Sequence, residues 1–255
     1  MISNPAGRVQ IVAHRGASGY APEATLEAYR RALEMQADFI ELDIHMLGDG
    51  TLVAIHDPDV KRTTNGKGKI SELSLSQLKA LDAGSWFNRA YPEKARPEYA
   101  GLKVPTLQEV IDLVKESPVG FYLEIKDPER YPPELESELL ATIYRNGLEK
   151  RTRVISFSAR SIGKIEMLDP SIQTGLLISR RGQNPVRATL RVSADELAIR
   201  HDLASAAIVG AAHENGVSVS VWTVDRESDL KRMIRMGVDC IITNYPDRLK
   251  SLLIS

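Results

Sequence analysis

The feature that most constrains this chain is a regular alternation of short apolar runs with longer amphipathic stretches. Such alternation is typical of βαβ units and predicts a parallel sheet. Eight runs have the character of buried strands, at 10–13, 39–43, 121–125, 154–157, 174–178, 197–199, 218–222 and 240–242. Helical periodicity separates most of them, at 24–35, 107–115, 134–146, 159–167, 204–214, 226–235 and 248–253.

Several predicted helices end at a glycine that can take the left-handed cap conformation, namely Gly147, Gly216 and Gly237. Residues 180–194 give no clear helix. Eight parallel strands with right-handed crossovers close most simply into a (β/α)8 or TIM barrel, which places the chain in the α/β class. An open doubly wound sheet is the second candidate.

One segment, at about 58–105, breaks this rhythm and is rich in glycine, proline and polar residues. A loop of this length inside a compact domain is usually functional. It contains a predicted helix at 75–81 and the aromatic pair Trp86-Phe87. We therefore expect a single barrel domain, 1–255, with a small insertion after the second strand that lies over the barrel mouth.

Composition restricts the partners of this chain. Its 33 Lys and Arg against 34 Asp and Glu leave a formal net charge of -1, which predicts neither nucleic acid nor an anionic membrane as partner. The single cysteine, Cys240, lies in an apolar run and predicts a small buried side chain. No signal peptide and no run near the ~18 apolar residues of a membrane span are evident. We expect a cytoplasmic protein without stable membrane association, in an oligomeric state left open, a homodimer included.

Reactive side chains gather where the predicted strands end. In a barrel, the carboxyl ends of the strands form the face that carries the active site. Surface charges would scatter without regard to strand ends, so this clustering indicates a site. The residues concerned are His14, Arg15, Glu41, Asp43, His56, Asp57, Glu124 and Lys126.

Glu41 and Asp43 stand two apart on one strand, so their side chains project from the same face, towards the barrel interior. Two carboxylates there need a counter-charge. A divalent cation supplies it, with Glu124 from the adjoining strand as third oxygen ligand, and an all-oxygen set favours Mg²⁺ or Ca²⁺ over zinc. The alternative is an interior ion-pair network with Lys126 or Arg15.

His14 and His56 suit a general acid–base pair, because imidazole titrates close to neutral pH. One reaction that such a pair could perform is hydrolysis of a phosphodiester. It needs one group to take a proton from the nucleophile and another to give one to the leaving alkoxide. Arg15 and Lys126 would bind the phosphate as cations. The other histidines, His45, His201 and His213, are predicted to be structural.

Two further side chains leave a choice of role. Glu23 is either a charge at the start of the first helix or a group that supports the ligands, and Trp222 is either core packing or a wall of the substrate site. We favour the wall for Trp222.

An ordered set of motifs between residue 10 and about 248 resembles the glycerophosphodiester phosphodiesterase family of bacterial, cytoplasmic type. Single pieces such as Glu-Ile-Lys are weak signals, whereas the ordered series is specific. The series is His14-Arg15-Gly16, Pro22-Glu23-Ala24-Thr25, Glu41-Leu42-Asp43, His56-Asp57, Arg62-Thr63-Thr64 with Gly66, Leu81-Asp82-Ala83-Gly84, Val104-Pro105-Thr106-Leu107, Glu124-Ile125-Lys126, Trp222-Thr223-Val224 and Ile242-Thr243.

The resemblance implies a barrel with an insertion after its second strand and one divalent cation held by Glu41, Asp43 and Glu124. It implies His14 and His56 as acid–base catalysts. The substrate would be a small glycerophosphodiester, which is cleaved to sn-glycerol 3-phosphate and an alcohol such as choline, ethanolamine or glycerol. The first nucleophile would be either water or the substrate's own glycerol hydroxyl, which gives a cyclic phosphate that water then opens.

The chain departs from the family pattern at two positions, since the family usually has Asn where Ala24 stands and often Asp where Asn244 stands. Three other functions are weighed against the leading one. The first is a lysophospholipase D or sphingomyelinase-type phosphodiesterase on the same barrel, which needs an apolar access surface. The second is a metal-dependent aldolase or isomerase, which needs no histidine pair. The third is an inactive barrel that only binds phosphodiesters, which is disfavoured because none of the expected positions is lost.

Overall fold

The computed structural model describes residues 8–126, 129, 131 and 134–254. Strands and helices alternate through most of this chain. The strands are β1 (Gln10–Ala13), β2 (Phe39–Met46), β3 (Leu52–Ala54), β4 (Gly120–Ile125), β5 (Thr152–Ser156), β6 (Gln173–Ile178), β7 (Glu196–Arg200), β8 (Ser218–Trp222) and β9 (Cys240–Thr243). The α-helices are α1 (Leu26–Glu34), α2 (Leu75–Ala80), α3 (Ser85–Ala90), α4 (Leu107–Val114), α5 (Leu135–Arg145), α6 (Ala159–Leu168), α7 (Pro185–Arg191), α8 (Ala206–Glu214), α9 (Glu227–Met236) and α10 (Pro246–Ile254).

Eight of these strands close into a parallel barrel with helices around it, which confirms the predicted fold class. β1 pairs in parallel with both β9 and β2, so the sheet has no free edge between its first and last strands. The open doubly wound sheet is thereby excluded. All eight predicted strands are present, with ends that differ by at most three residues.

β3 is not a barrel strand. β2 runs past the barrel rim, and β3 pairs antiparallel with that extension, as in the register Ile44↔Ala54. The resulting hairpin returns the chain to the mouth of the barrel at Ile55, whose N–H donates to the carbonyl of Asp43 at 3.0 Å. This return decides where His56 lies.

The barrel interior contains one fully paired charged group at the amino-terminal end of the strands. Arg153 donates to Glu196 at 2.8 Å and to the side-chain oxygen of Gln10 at 3.0 Å, and Tyr122 donates to Glu196 at 2.9 Å. Cys240 is buried within this network, as its apolar context predicts. Buried charge is tolerated when it is paired and hydrogen-bonded, so this end of the barrel is closed structurally.

Residues 180–194, for which the sequence predicts no clear helix, contain α7. α7 begins at Pro185, and the Asn184 side chain caps it by accepting the N–H of Arg187 at 3.0 Å. Asn at the N-cap followed by Pro is a favourable helix start. At seven residues the helix is too short for its apolar periodicity to stand out, which is why the pattern missed it.

The insertion, 58–105, carries α2 and α3 and packs on the loop that follows β1. Lys94 donates to the carbonyl of Gly19 at 3.0 Å, and the Tyr99 hydroxyl donates to the carbonyl of Tyr20 at 2.9 Å. Phe87 is buried in this interface with Tyr99. The description of 1–255 as one domain with this insertion stays a prediction. Across the part of the chain described here, no helix has the length and apolar character needed to cross a bilayer.

We expect Thr106→Ala to lower the free energy of unfolding by about 1 kcal/mol, because Thr106 closes a capping box at the start of α4. Its hydroxyl accepts the N–H of Glu109 at 3.1 Å, and Glu109 accepts the Thr106 N–H at 2.7 Å. Urea unfolding measures the loss, with Thr106→Ser as the control that keeps the hydroxyl. Equal losses in both variants would contradict a capping role.

Candidate active site

Three carboxylates meet at the carboxyl ends of two neighbouring barrel strands. Glu41 and Asp43 project from the same face of β2, and β4 places Glu124 directly beside Asp43 in the strand register. One oxygen of each carboxylate lies within 4.8 Å of the others, and all three residues are buried. The period-2 geometry of a strand, applied to two adjacent strands, therefore produces the cluster that the sequence predicts.

Two imidazoles face this cluster from different parts of the chain. His14 follows β1 directly, whereas His56 arrives from the β2–β3 hairpin. Both line a cavity of about 170 Å³. Its remaining walls are Arg15, Glu41, Glu124, Lys126, Ile155, Phe157, Leu177, Trp222, Thr223 and Ile242. The structure thus brings every predicted site residue to one place, with Asp43 just beneath the lining.

Larger hollows exist elsewhere on the surface. One of about 570 Å³ is lined by Arg8, Asp38 and Lys250 among others, at the amino-terminal ends of the strands. Volume alone does not define the site. The smaller cavity at the barrel mouth is lined by two of the buried carboxylates, Glu41 and Glu124, together with both histidines.

Each imidazole is held through its Nδ1 atom. His14 Nδ1 lies 2.7 Å from Asn244 Oδ1, and His56 Nδ1 lies 2.6 Å from Asp57 Oδ1. Burial lowers the pKa of His14 to about 4, and the neighbouring positive charge of Arg15 adds to this effect. Burial also lowers the pKa of His56. Both shifts favour the neutral imidazole, which can accept a proton.

Two cations lie against the carboxylates without satisfying them. Arg15 Nε is 2.9 Å from Asp43 Oδ2, and Lys126 Nζ is 2.8 Å from Glu124 Oε1 and 3.4 Å from Asp43 Oδ1. None of these contacts has hydrogen-bond geometry. Of the seven buried side-chain oxygens without a hydrogen-bond partner among the described residues, four belong to this cluster, on Glu41 (Oε1), Asp43 (both Oδ atoms) and Glu124 (Oε1).

Burial and the neighbouring charges shift the pKa values of the three carboxyl groups. Burial, and then the charges of Asp43 and Glu124, raise the pKa of Glu41 well above its ordinary value. Burial, and then the charge of Asp43, raise the pKa of Glu124 to about 7. Burial also opposes ionisation of Asp43, but Arg15 and Lys126 outweigh it and lower the pKa of this residue. With all three carboxylates ionised, the two cations would leave one negative charge unbalanced, which is why the pKa of Glu41 rises.

These residues fit a divalent cation. The cluster offers unpartnered carboxylate oxygens, close to one another and beside a cavity, with a deficit of positive charge. A bound hard cation would remove all of these penalties at once. The alternative of an interior ion-pair network is also present in part, because Arg15 and Lys126 do approach the carboxylates. It leaves the cluster incompletely neutralised.

A second layer of charges surrounds the first. Glu23 accepts from Arg15 at 2.9 Å and from Arg62 at 2.8 Å, and Arg62 also donates to Asp57 at 2.7 Å. Glu23 is thus a partner of the arginines, and the first helix is capped instead by Thr25. The Arg62 side chain links the loop after β1 to the partner of His56. Its position within a motif was visible in the sequence, but this bridge was not.

An aromatic wall closes one side of the cavity. The Trp222 indole donates to the carbonyl of Ala198 at 3.0 Å, and its ring meets that of Phe157 edge to face at 5.4 Å. Phe157, which the sequence analysis treated only as the end of a strand, is 46% exposed at the mouth. Phe157 could have been found from its place one residue beyond a barrel strand.

The remaining histidines lie outside the cavity lining. The buried His45 contacts the Tyr131 hydroxyl and lies 3.1 Å from the carbonyl of His56, so it supports the backbone of that residue. His213 pairs with Asp239 at 2.8 Å, far from the mouth in the strand register. His201 follows β7, and its N–H donates to the carbonyl of Trp222 at 3.0 Å.

The loop after β1 has an unusual backbone. Gly16 has a φ of +79°, and a Cβ there would lie 2.5 Å from the backbone of Ala28, so only glycine fits. Arg15 and Ala24 both have a φ of +54°. Asn adopts this left-handed region more readily than Ala does, which gives a physical reason for the family's usual Asn at position 24.

The fold and this site together define a barrel enzyme for phosphate diesters, with an acidic cluster and a pair of imidazoles at its mouth. The model of the glycerophosphoryl diester phosphodiesterase family matches residues 14–248. This match spans most of the chain. The protein therefore belongs to the glycerophosphoryl diester phosphodiesterase family of enzymes.

Individual relatives agree with this assignment. A glycerophosphodiester phosphodiesterase of Bacillus subtilis is 40% identical over 250 residues, which cover 94% of this chain and 85% of the relative. Another, from Caldanaerobacter subterraneus subsp. tengcongensis, is 37% identical and covers 95% and 96%. An Oleispira antarctica phosphodiesterase, solved in complex with the product sn-glycerol-3-phosphate, superposes with a TM-score of 0.84 at 28% identity, covering 99% of each chain.

We expect Glu41→Gln to raise the melting temperature of the metal-free protein at pH 7. A carboxyl whose folded pKa lies above its unfolded value stabilises the fold only while protonated, so stability falls as pH rises above about 4.5. Glutamine cannot ionise and avoids this loss. Each kcal/mol relieved adds about 2–4 °C, and the gain should shrink towards pH 4.5.

Calorimetry in excess chelator at several pH values measures this difference. Glu72→Gln is the matched control, because its carboxylate pairs with Lys69 on the surface. A Glu41→Gln protein that melts at or below wild type at pH 7 would contradict the unbalanced charge.

Proposed function

We propose that this enzyme hydrolyses small glycerophosphodiesters to sn-glycerol 3-phosphate and an alcohol, in a reaction that requires one divalent cation and uses His14 and His56 as acid and base. The observation that carries the proposal is the shared cavity. Within it, two imidazoles from separate chain segments face three buried, incompletely neutralised carboxylates.

The cation would be held by Glu41, Asp43 and Glu124. When bound, it would act as a Lewis acid on a phosphoryl oxygen. Among the described residues the cluster offers an all-oxygen ligand set, which favours Mg²⁺ or Ca²⁺. Arg15 and Lys126 would then be available to the anionic substrate, because a bound cation would neutralise the acids.

The proton transfers fall to the histidines. One imidazole removes a proton from the attacking hydroxyl, which is that of water or of the substrate's glycerol. The new phosphorus–oxygen bond forms as the bond to the leaving alcohol breaks, and the second imidazole, which enters the step as the imidazolium, donates its Nε2 proton to that oxygen. Hydrogen bonds at Nδ1 leave the Nε2 atom of each ring for this work.

The mouth of the barrel supplies the contacts that would orient the substrate. Lys126 and Arg15 provide positive charge for the phosphate, and Trp222 with Phe157 provides an apolar wall for a carbon skeleton such as glycerol. A small-molecule substrate is consistent with the cavity of about 170 Å³. A cytoplasmic location and the absence of stable membrane association remain predictions.

The lipid-directed alternative loses some of its support. It requires an apolar access surface, and the Trp86-Phe87 pair was the candidate for it. Phe87 is buried against Tyr99, and the Trp86 indole donates to the carbonyl of Ala83 at 3.0 Å. The pair therefore stabilises the insertion.

The direct test is release of sn-glycerol 3-phosphate from glycerophosphocholine and glycerophosphoethanolamine, beside a lysophospholipid. We expect turnover of the two diesters with Mg²⁺ or Ca²⁺, loss of turnover in excess chelator, and recovery when the metal is returned. Turnover unchanged in chelator would refute the metal requirement. Faster cleavage of the lysophospholipid would favour the lipid-directed enzyme.

We expect His14→Ala and His56→Ala each to lower kcat by about 100-fold or more, because each removes a general acid–base group. The same assay measures the loss, and melting temperature confirms the fold of each variant. His213→Ala is the control, since His213 pairs with Asp239 away from the cavity. A histidine variant that keeps most of its turnover would remove that residue from the mechanism.

A further inference from the structure

The two histidines differ in what holds them. His56 Nδ1 meets the carboxylate of Asp57, whereas His14 Nδ1 meets the amide of Asn244. An amide can present either an acceptor oxygen or a donor nitrogen, and the two are easily exchanged by a half-turn. By itself, Asn244 would leave the tautomer of His14 unspecified. Something else must decide which way this amide points.

Asp225 fixes the orientation of the Asn244 amide. Asn244 Nδ2 lies 2.6 Å from Asp225 Oδ2, and the Asn244 N–H donates to Asp225 Oδ1 at 2.9 Å. The Thr243 hydroxyl also donates to Asp225 Oδ1, at 3.1 Å. A carboxylate only accepts hydrogen bonds, so the amide must turn its nitrogen towards Asp225 and its oxygen towards His14.

A second neighbour of the amide oxygen, the Ser18 hydroxyl, is compatible with this orientation. Ser18 Oγ lies 2.7 Å from Asn244 Oδ1 and 2.7 Å from the carbonyl of His14, so the hydroxyl can donate to either oxygen. With its amide oxygen facing the ring, Asn244 requires a proton on His14 Nδ1. The lone pair of His14 is then on Nε2, the only ring nitrogen left for reacting groups.

We propose that Asp225 is a positioning residue for His14, which acts through Asn244 to fix the imidazole with its proton on Nδ1. The family often has Asp at position 244, which would hold the ring directly. In this chain the carboxylate of Asp225 contacts Asn244 rather than His14. The neutral amide of Asn244, oriented by Asp225, then fixes the proton on His14 Nδ1. This inference rests on the proposed role of His14 as an acid–base group.

The first test is Asp225→Ala. Nitrogen-15 NMR of the histidine side chains reports the tautomer of His14 in the free protein, and steady-state kinetics on glycerophosphocholine report its consequence. We expect the uniform Nδ1–H tautomer to become a mixture and kcat to fall by about 10- to 100-fold, as for other groups that orient a catalytic side chain, with a much smaller change in KM. Asp229→Asn is the matched control, because Asp229 lies on α9 in the same region and pairs with Arg232 at 3.0 Å.

The second test exchanges the two residues, as Asp225→Asn with Asn244→Asp. The carboxylate then accepts directly from His14, and the new amide at 225 supports it from behind. We expect this double variant to regain the single tautomer and most of kcat relative to Asp225→Asn alone. This comparison also serves if Asp225→Ala does not fold.

Failure of the positioning role of Asp225 and failure of the proposed function give different results. A variant at 225 that keeps the wild-type tautomer, or keeps kcat near wild type, overturns the proposal, as does a double variant no better than Asp225→Asn. The NMR measurement needs no substrate. If wild type hydrolysed no glycerophosphodiester, the proposed function would fail while the tautomer result still stood.

Discussion

The repulsion among three buried carboxylates is the constraint around which this mouth is organised. Glu41, Asp43 and Glu124 are forced together by strand register, in a place where water cannot screen them. Arg15 and Lys126 lie against them, and Glu23 in turn binds Arg15 and Arg62. Successive layers of alternating charge therefore surround the cluster. The innermost layer stays one positive charge short, which is the property a metal site needs.

The two ends of the same barrel show what complete and incomplete pairing achieve. At the amino-terminal end, the charges of Arg153 and Glu196 are joined to each other and to neutral hydrogen-bonding groups, so that end only stabilises the fold. At the carboxyl-terminal end, buried oxygens of Asp43 lack hydrogen bonds altogether. Unsatisfied buried groups cost stability, and the four unpartnered carboxylate oxygens of Glu41, Asp43 and Glu124 mark this end as the functional face.

Much of the fold and of the acidic cluster could be predicted from sequence because both follow from strand periodicity. Glu41 and Asp43 are two residues apart on a strand, and Glu124 ends the neighbouring one, so their meeting needs no side-chain detail. α7 escaped because seven residues give too little periodicity, although Asn184 and Pro185 marked its start. Boundaries shifted where tertiary pairing, such as the β2 extension with β3, lengthened an element.

The supporting side chains could not be predicted in the same way. Asn244 and Asp225 are separated by α9, and Arg62 reaches Glu23 across 39 positions of sequence. No local pattern encodes such contacts, which depend on where loops of different strands meet. From the sequence, Asn244 is notable only as a departure from a family pattern. Its contact with His14 exists only in the folded chain.

The hairpin of β2 and β3 has a consequence for how this enzyme loses activity. His56 follows β3, which lies outside the closed cylinder, and Arg62 links its partner Asp57 to Glu23. Local opening of such a peripheral unit costs less free energy than unfolding of the eight-stranded cylinder. Turnover should therefore cease when β3 separates from the end of β2, in mild denaturant or heat, while the cylinder, which includes β2, is still intact.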